Sequence, residues 1–108
     1  ASVTYKLEDV LTDSDALMFL RLQKERQDEK YIPSVREYVK AFGLTQEKLK
    51  QAKKDVLIMH PGPVNRGIEL SAEVADGINS VILEQVTNGV AVRMAILYLL
   101  FGKNEKVA

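Results

Sequence analysis

The sequence predicts an α/β fold, a partial parallel three-layer sheet of about three strands flanked by helices, with a long apolar helix at the carboxyl end. Three observations lead there. Two short runs, Ala16-Leu17-Met18-Phe19-Leu20 and Val56-Leu57-Ile58-Met59, are apolar without polar alternation, the pattern of strands buried on both faces of a parallel sheet. Between them lie stretches with apolar residues at helical spacing, which supply a crossover. Beyond the second run, residues 79–101 read as one long helix ended by Gly102.

The elements follow in order. Residues 2–5 are the candidate additional strand, and residues 6–11 carry Leu7, Val10 and Leu11 at helical spacing before the turn-prone Thr12-Asp13-Ser14-Asp15. The first buried strand leads straight into Arg21, so charge appears where the strand leaves the core. Residues 23–30 are dense in both signs of charge and read as an exposed loop. Pro33 suits the first turn of a helix that puts Val35, Tyr38, Val39 and Phe42 on one face, and Gly43 terminates it. Thr45 can cap a helix over residues 46–53, with Glu47 and Lys53 favouring its two ends through the macrodipole. The second strand, residues 55–59, comes next. Residues 70–77 read as irregular or a short helical turn.

The second half of the last helix is apolar on every side, from Val90 to Phe101, with only Arg93 charged. Such a helix is buried all round, and about three strands cannot surround it. The stretch is shorter than the ~20 residues a bilayer span requires, so its expected cover is protein outside these residues rather than a membrane.

Composition bounds the function. The chain has 108 residues, 46% hydrophobic and 28% charged, which suits one globular domain or part of one. Fifteen basic and fifteen acidic residues balance, so nothing favours nucleic acid or an anionic membrane, and an anionic substrate must be held by individually placed arginines. There is no cysteine and a single histidine, which excludes thiolate or His-rich metal sites and a disulfide framework; no cofactor is expected. The amino terminus lacks the basic and apolar regions of a secretory signal, and a cytoplasmic protein is the simplest expectation.

Two places can carry chemistry. His60-Pro61-Gly62-Pro63-Val64-Asn65-Arg66-Gly67 follows the second strand, at the end of a sheet where α/β folds present ligand loops. Its prolines remove amide donors and Gly62 lets the backbone approach a ligand, so the segment presents carbonyls as rigid acceptors. Pro-Gly-Pro alone would be an ordinary turn; the whole octapeptide is more specific. Arg21 and Gln23 stand two apart at the end of the first strand and leave on one face if it stays extended. A guanidinium can hold a carboxylate through two parallel hydrogen bonds, with the amide beside it as a further donor, although an isolated pair of this kind is ordinarily solvated surface. His60 is the one group titrating near neutrality, but no partner for it is evident in the sequence, and a structural hydrogen bond is the expectation over catalysis.

The octapeptide resembles the loop of aspartate carbamoyltransferase catalytic chains. Arg21-Leu22-Gln23-Lys24-Glu25-Arg26 resembles that family's aspartate-contacting segment, and Glu84-Gln85-Val86-Thr87-Asn88-Gly89-Val90 resembles the start of its last long helix, in the same order and spacing. The resemblance covers essentially all of this chain but only the carboxyl-terminal third of a two-domain subunit. It implies that Arg21 and Gln23 bind L-aspartate, that the backbone of Gly62 and Pro63 contacts carbamoyl phosphate, and that Lys24-Glu25-Arg26 belongs to a loop closing over substrate. His60 and Arg66 are then loop support, Arg66 as an ion-pair brace before a substrate contact. No residue of this portion is assigned as catalytic. The family's Ser-x-Arg-Thr-Arg phosphate motif is absent, as are its carbamoyl-polarising histidine and the lysine of a neighbouring subunit.

By this resemblance residues 1–78 are a partial aspartate-binding domain, and residues 79–108 a long helix expected to pack on an amino-terminal carbamoyl-phosphate domain missing from these residues. The whole enzyme is implied to be a homotrimer in pyrimidine biosynthesis, with a regulatory chain or dihydroorotase as possible partners, and this portion to be inactive alone. Two alternatives stand beside it: a non-catalytic folding, interaction or weak dicarboxylate-binding module, and ornithine carbamoyltransferase, whose version of the loop carries a cysteine this chain lacks.

Overall fold

The computed structural model describes residues 1–23 and 34–102. Its centre is a two-stranded parallel sheet, β1 (Ala16–Met18) beside β2 (Leu57–Met59), with Leu17 opposite Ile58. The ladder extends past both strands: Leu57 N–H donates to Asp15 O at 3.0 Å and Phe19 N–H to Met59 O at 2.9 Å. Helix α1 (Glu8–Leu11) precedes β1, α2 (Val35–Phe42) and α3 (Gln46–Leu49) lie between the strands, and α4 (Ala72–Ala75) and α5 (Ile82–Phe101) follow β2. The α/β class therefore stands, with the strands parallel as expected.

The sheet has two strands among the described residues, not about three. Residues 2–5 form no strand, since Val3 and Tyr5, the apolar side chains that could dock them, are 85% and 86% exposed. The free edge of β2 is met instead by Asn79–Val81 backbone: Ile58 N–H donates to Asn79 O at 2.9 Å and Val81 N–H to Ile58 O at 3.0 Å. That pairing explains why α5 starts at Ile82 rather than at Asn79, because the Asn79 carbonyl and the Val81 amide are committed to Ile58. Asn79 Nδ2 locks the arrangement by donating to Lys54 O and Val56 O.

Burial on both faces of the strands is not observed. Leu17 and Ile58 face a core with Leu11, Leu44, Val56, Leu70, Val74 and Ile82, while Met18 and Leu57 on the opposite face are exposed. The apolar runs are real, but nothing among the described residues covers their second face.

Local chemistry sets most helix ends. Ser34 caps α2, its Oγ accepting Glu37 N–H at 3.1 Å; Pro33, expected in the first turn, lies with residues 24–32 outside the described residues. Gly43 ends α2 as expected, but for space rather than for a left-handed φ. Its φ is −70°, and a Cβ there would stand 2.6 Å from the Ile68 carbonyl oxygen. Thr45 Oγ1 accepts Lys48 N–H, and α3 ends early because Gln51 and Ala52 donate three residues back, tightening the turn.

Helix α5 is anchored at its first turn. Ile82 is its buried residue, and from Leu83 onward every side chain except Gln85 and the glycine position is exposed. A helix of this length reaches about 30 Å, which gives the molecule a longest dimension of 58 Å against 37 and 28 Å. Nothing among the described residues covers the apolar circumference of this helix. No described helix is long and apolar enough to cross a membrane.

These two environments predict opposite sensitivities. Ile58→Ala, at a position with no exposed surface, should cost about 2–5 kcal/mol in urea unfolding followed by circular dichroism. Leu97→Gln, on the bare flank of α5, should leave the same measurement within about 0.5 kcal/mol.

Candidate functional site

β2 delivers the chain into His60 at the edge of the core, where the imidazole is fully buried. The main chain then turns through Pro61, Gly62 and Pro63, with Gly62 at φ +75° and a cis bond between Gly62 and Pro63. Gly62 N–H donates to His60 Nδ1 at 2.8 Å, and His60 N–H donates to Gln85 Oε1 at 3.0 Å. The one amide hydrogen of the Pro-Gly-Pro stretch is therefore turned inward, and the prolines have none to offer. What this turn can show a ligand is carbonyl oxygen.

Because Nδ1 accepts a hydrogen bond, the neutral imidazole carries its proton on Nε2, which faces Glu69 Oε1 at 3.9 Å. Burial pushes the His60 pKa below its ordinary value; the Glu69 carboxylate opposes that and the Arg21 charge adds to it. Arg21 is thus near enough to His60 to act on it electrostatically. Arg21 as a whole is half-buried, with its Nε out of contact with solvent.

Glu69 is 1% exposed and organises the surroundings of both candidate segments. Its Oε1 accepts Leu22 N–H at 2.6 Å and Asn65 Nδ2 at 3.1 Å, and its Oε2 accepts Asn65 N–H at 3.1 Å. Asn65 Nδ2 also donates to Leu22 O at 3.0 Å. Leu22, buried between Arg21 and Gln23, is consequently held on both sides of its peptide by residues of the octapeptide turn and its continuation. By this route the structure ties the Arg21–Gln23 segment, through Leu22, to the octapeptide at Asn65. Gln23 is exposed, and Lys24, Glu25 and Arg26 lie outside the described residues.

Arg66 stands apart from that cluster, in a bidentate pair with Asp76: Nη1 to Oδ2, and Nη2 to Oδ1 at 2.7 Å. The paired carboxylate raises its pKa, but both side chains are 57% exposed, so the pair braces the turn more than it stabilises the fold. Arg66 and Asp76 line a cleft of about 480 Å³ together with Val64, Ser80, Ile82 and Glu84. Neither Arg21 nor Gly62 borders it, so the cleft is not where the candidate chemistry gathers. Among the described residues no cluster of three acidic, histidine or cysteine side chains could hold a metal ion.

Sequence reasoning named Arg21, Gln23, His60, Gly62, Pro63 and Arg66 but missed Glu69 and gave Asn65 no role. The available signal was a carboxylate between Ile68 and Leu70, a charge among apolar neighbours that has to find donors when buried.

A family model for the aspartate/ornithine carbamoyltransferase Asp/Orn binding domain matches residues 1–100, and the chain belongs to that family. Among its relatives by sequence are aspartate carbamoyltransferase catalytic subunits. The aspartate carbamoyltransferase catalytic subunit of Syntrophus aciditrophicus (strain SB) is 61% identical over 103 residues, 95% of this chain and 34% of that protein. That of Syntrophobacter fumaroxidans is 63% identical over 101 residues, 94% of this chain and 33% of the relative. The chain thus spans about a third of the length of the curated relatives it matches. Among solved structures, aspartate transcarbamoylase from Trypanosoma cruzi in complex with carbamoyl aspartate and phosphate superposes with a TM-score of 0.73 at 31% identity, covering 88% of this chain and 28% of that one. Ornithine carbamoyltransferase from Pyrococcus furiosus gives 0.73 at 28% identity, over 88% and 30%.

The His60 geometry predicts a pH dependence. A folded-state pKa below the ordinary 6.5 means the unfolded chain binds the proton more readily, so stability is complete above 6.5 and is lost as pH falls through the lowered folded value. His60→Asn keeps an acceptor near the Nδ1 position and removes the titration. Urea unfolding across that window should therefore show a steeper loss in the parent chain than in His60→Asn.

Proposed function

We propose that this chain supplies the aspartate-binding side of an aspartate carbamoyltransferase catalytic chain, acting in the cytoplasm in pyrimidine biosynthesis. The observation that carries the reading is the double hold on Leu22 by Glu69 and Asn65, which fixes the backbone between Arg21 and Gln23 and ties it to the octapeptide. The relatives' names support the aspartate branch over the ornithine one. Residues 1–78 form the aspartate-binding part. The bare flank of α5 and the open face of the sheet carry apolar side chains such as Leu57, Met94 and Leu97, which suit burial against the carbamoyl-phosphate domain of a complete subunit. The complete enzyme assembles as a homotrimer, with regulatory chain or dihydroorotase as further partners.

In the reaction, the neutral α-amine of L-aspartate attacks the carbonyl carbon of carbamoyl phosphate, and the tetrahedral intermediate collapses as the C–O bond to phosphate breaks, the surplus amine proton leaving with the phosphate. Arg21 holds a substrate carboxylate through its planar fork, and Gln23 adds a neutral donor. The carbonyls of Gly62 and Pro63 accept N–H groups of the carbamoyl moiety and the incoming amine, which fixes their approach. The gain is orientation of two bound reactants rather than acid–base chemistry. His60 keeps the turn in shape through Gly62 and takes no proton from substrate. Stabilising the departing phosphate falls to residues outside this chain.

The test is formation of carbamoyl-aspartate by this chain alone and joined behind the amino-terminal portion of the Syntrophus aciditrophicus relative. Turnover only in the joined protein is the expected result; turnover by the chain alone, or none in a folded joined protein, refutes the assignment, the latter favouring a non-catalytic module. In the joined protein, Arg21→Ala should raise the aspartate KM about 10- to 100-fold, the loss of a charged hydrogen-bonded pair, with carbamoyl phosphate binding unchanged.

A further inference from the structure

We infer that Glu69 is a positioning residue for aspartate binding: its buried carboxylate sets the backbone from which Arg21 and Gln23 project. This rests on the proposed function and assigns a role to a side chain that touches neither substrate.

The geometry separates Glu69 from an ordinary buried charge. Its main chain is fixed independently of its side chain, since Leu44 N–H donates to Glu69 O at 2.9 Å and Ser71 N–H returns to Leu44 O at 3.0 Å. The residue is thereby stapled to the crossover between α2 and α3, and its carboxylate reaches across to a segment 47 positions earlier in the chain. That segment has no ladder of its own at Leu22, because β1 ends at Met18 and Phe19 makes the last strand bond. The Leu22 amide and carbonyl are instead held by Glu69 Oε1 and Asn65 Nδ2. Arg21 and Gln23 flank this fixed peptide, so the direction of both side chains depends on it.

The two carboxylate oxygens also discriminate against the isosteric amide. Oε1 faces Leu22 N–H and Oε2 faces Asn65 N–H. A glutamine has one carbonyl oxygen and one NH2 group, so whichever way it is turned, a donor meets a donor. Glu69→Gln therefore loosens either the Leu22 peptide or the turn, at nearly constant volume.

The experiment uses the joined full-length chain and compares Glu69→Gln, Asn65→Ala and Arg21→Ala, reading KM and kcat for aspartate, carbamoyl phosphate affinity by equilibrium dialysis, and Tm. The expected result is a rise of about tenfold in aspartate KM for Glu69→Gln, a smaller rise for Asn65→Ala, and unchanged carbamoyl phosphate affinity in both. A purely structural role would lower Tm and the active fraction while leaving KM alone. If Arg21→Ala raises the aspartate KM but the other two variants retain the parent value, the inference is wrong and the functional reading survives. If Arg21→Ala also leaves KM unchanged, both fall. Should Glu69→Gln not fold, Asn65→Ala decides alone: parental KM overturns the inference and a raised KM supports it.

Discussion

A carboxylate taken out of water has to be met by donors, and in this chain that requirement falls on Glu69. Leaving such an acceptor unmet costs about 1–3 kcal/mol or more when charged. The chain meets it by drawing three N–H groups from two segments far apart in sequence. Once Leu22 and Asn65 are committed there, the exit of β1 and the turn after β2 can no longer move independently. The parallel register of Leu17 with Ile58 supports the same alignment from the sheet side. Hydrophobic burial around Ile58 supplies the bulk of the stability, but it does not specify direction. The carboxylate does.

How much of this was legible in the sequence depended on whether the cause was local. The strands were legible because uninterrupted apolar runs have few alternative readings, and Thr45 as a cap because a hydroxyl one residue before a helix has one ready use. The end of β1 was not, since Phe19 and Leu20 continue the apolar run and only the partner's length stops the ladder. Asn79–Val81 looked helical because its pairing partner, the far edge of Ile58, lies 21 residues back at the nearest. The site shows the same division. Arg21, Gln23 and the Pro-Gly-Pro turn announce themselves through residue type, whereas Glu69 is defined by donors at positions 22 and 65, which periodicity cannot connect.

The open face of the sheet and the flank of α5 share one character. Met18 and Leu57 on one, and the apolar residues from Val90 to Phe101 on the other, are side chains of the kind that ordinarily form a core. Small exposed apolar groups are normal on a protein surface, but a contiguous helical sleeve of them is not. The length comparison and the bare surfaces point the same way, and neither depends on the other.

Gln85 gives the geometry a mechanical aspect. It sits one turn into α5 and accepts the His60 amide, while His60 in turn accepts from Gly62. Ile82, wedged in the core beneath it, acts as the fulcrum. A helix about 30 Å long pivoting there is a lever with a very short inner arm and a long outer one. A small displacement at the turn would correspond to a large one at Phe101, and a grip on the outer end would steady the turn through the Gln85–His60 and His60–Gly62 hydrogen bonds.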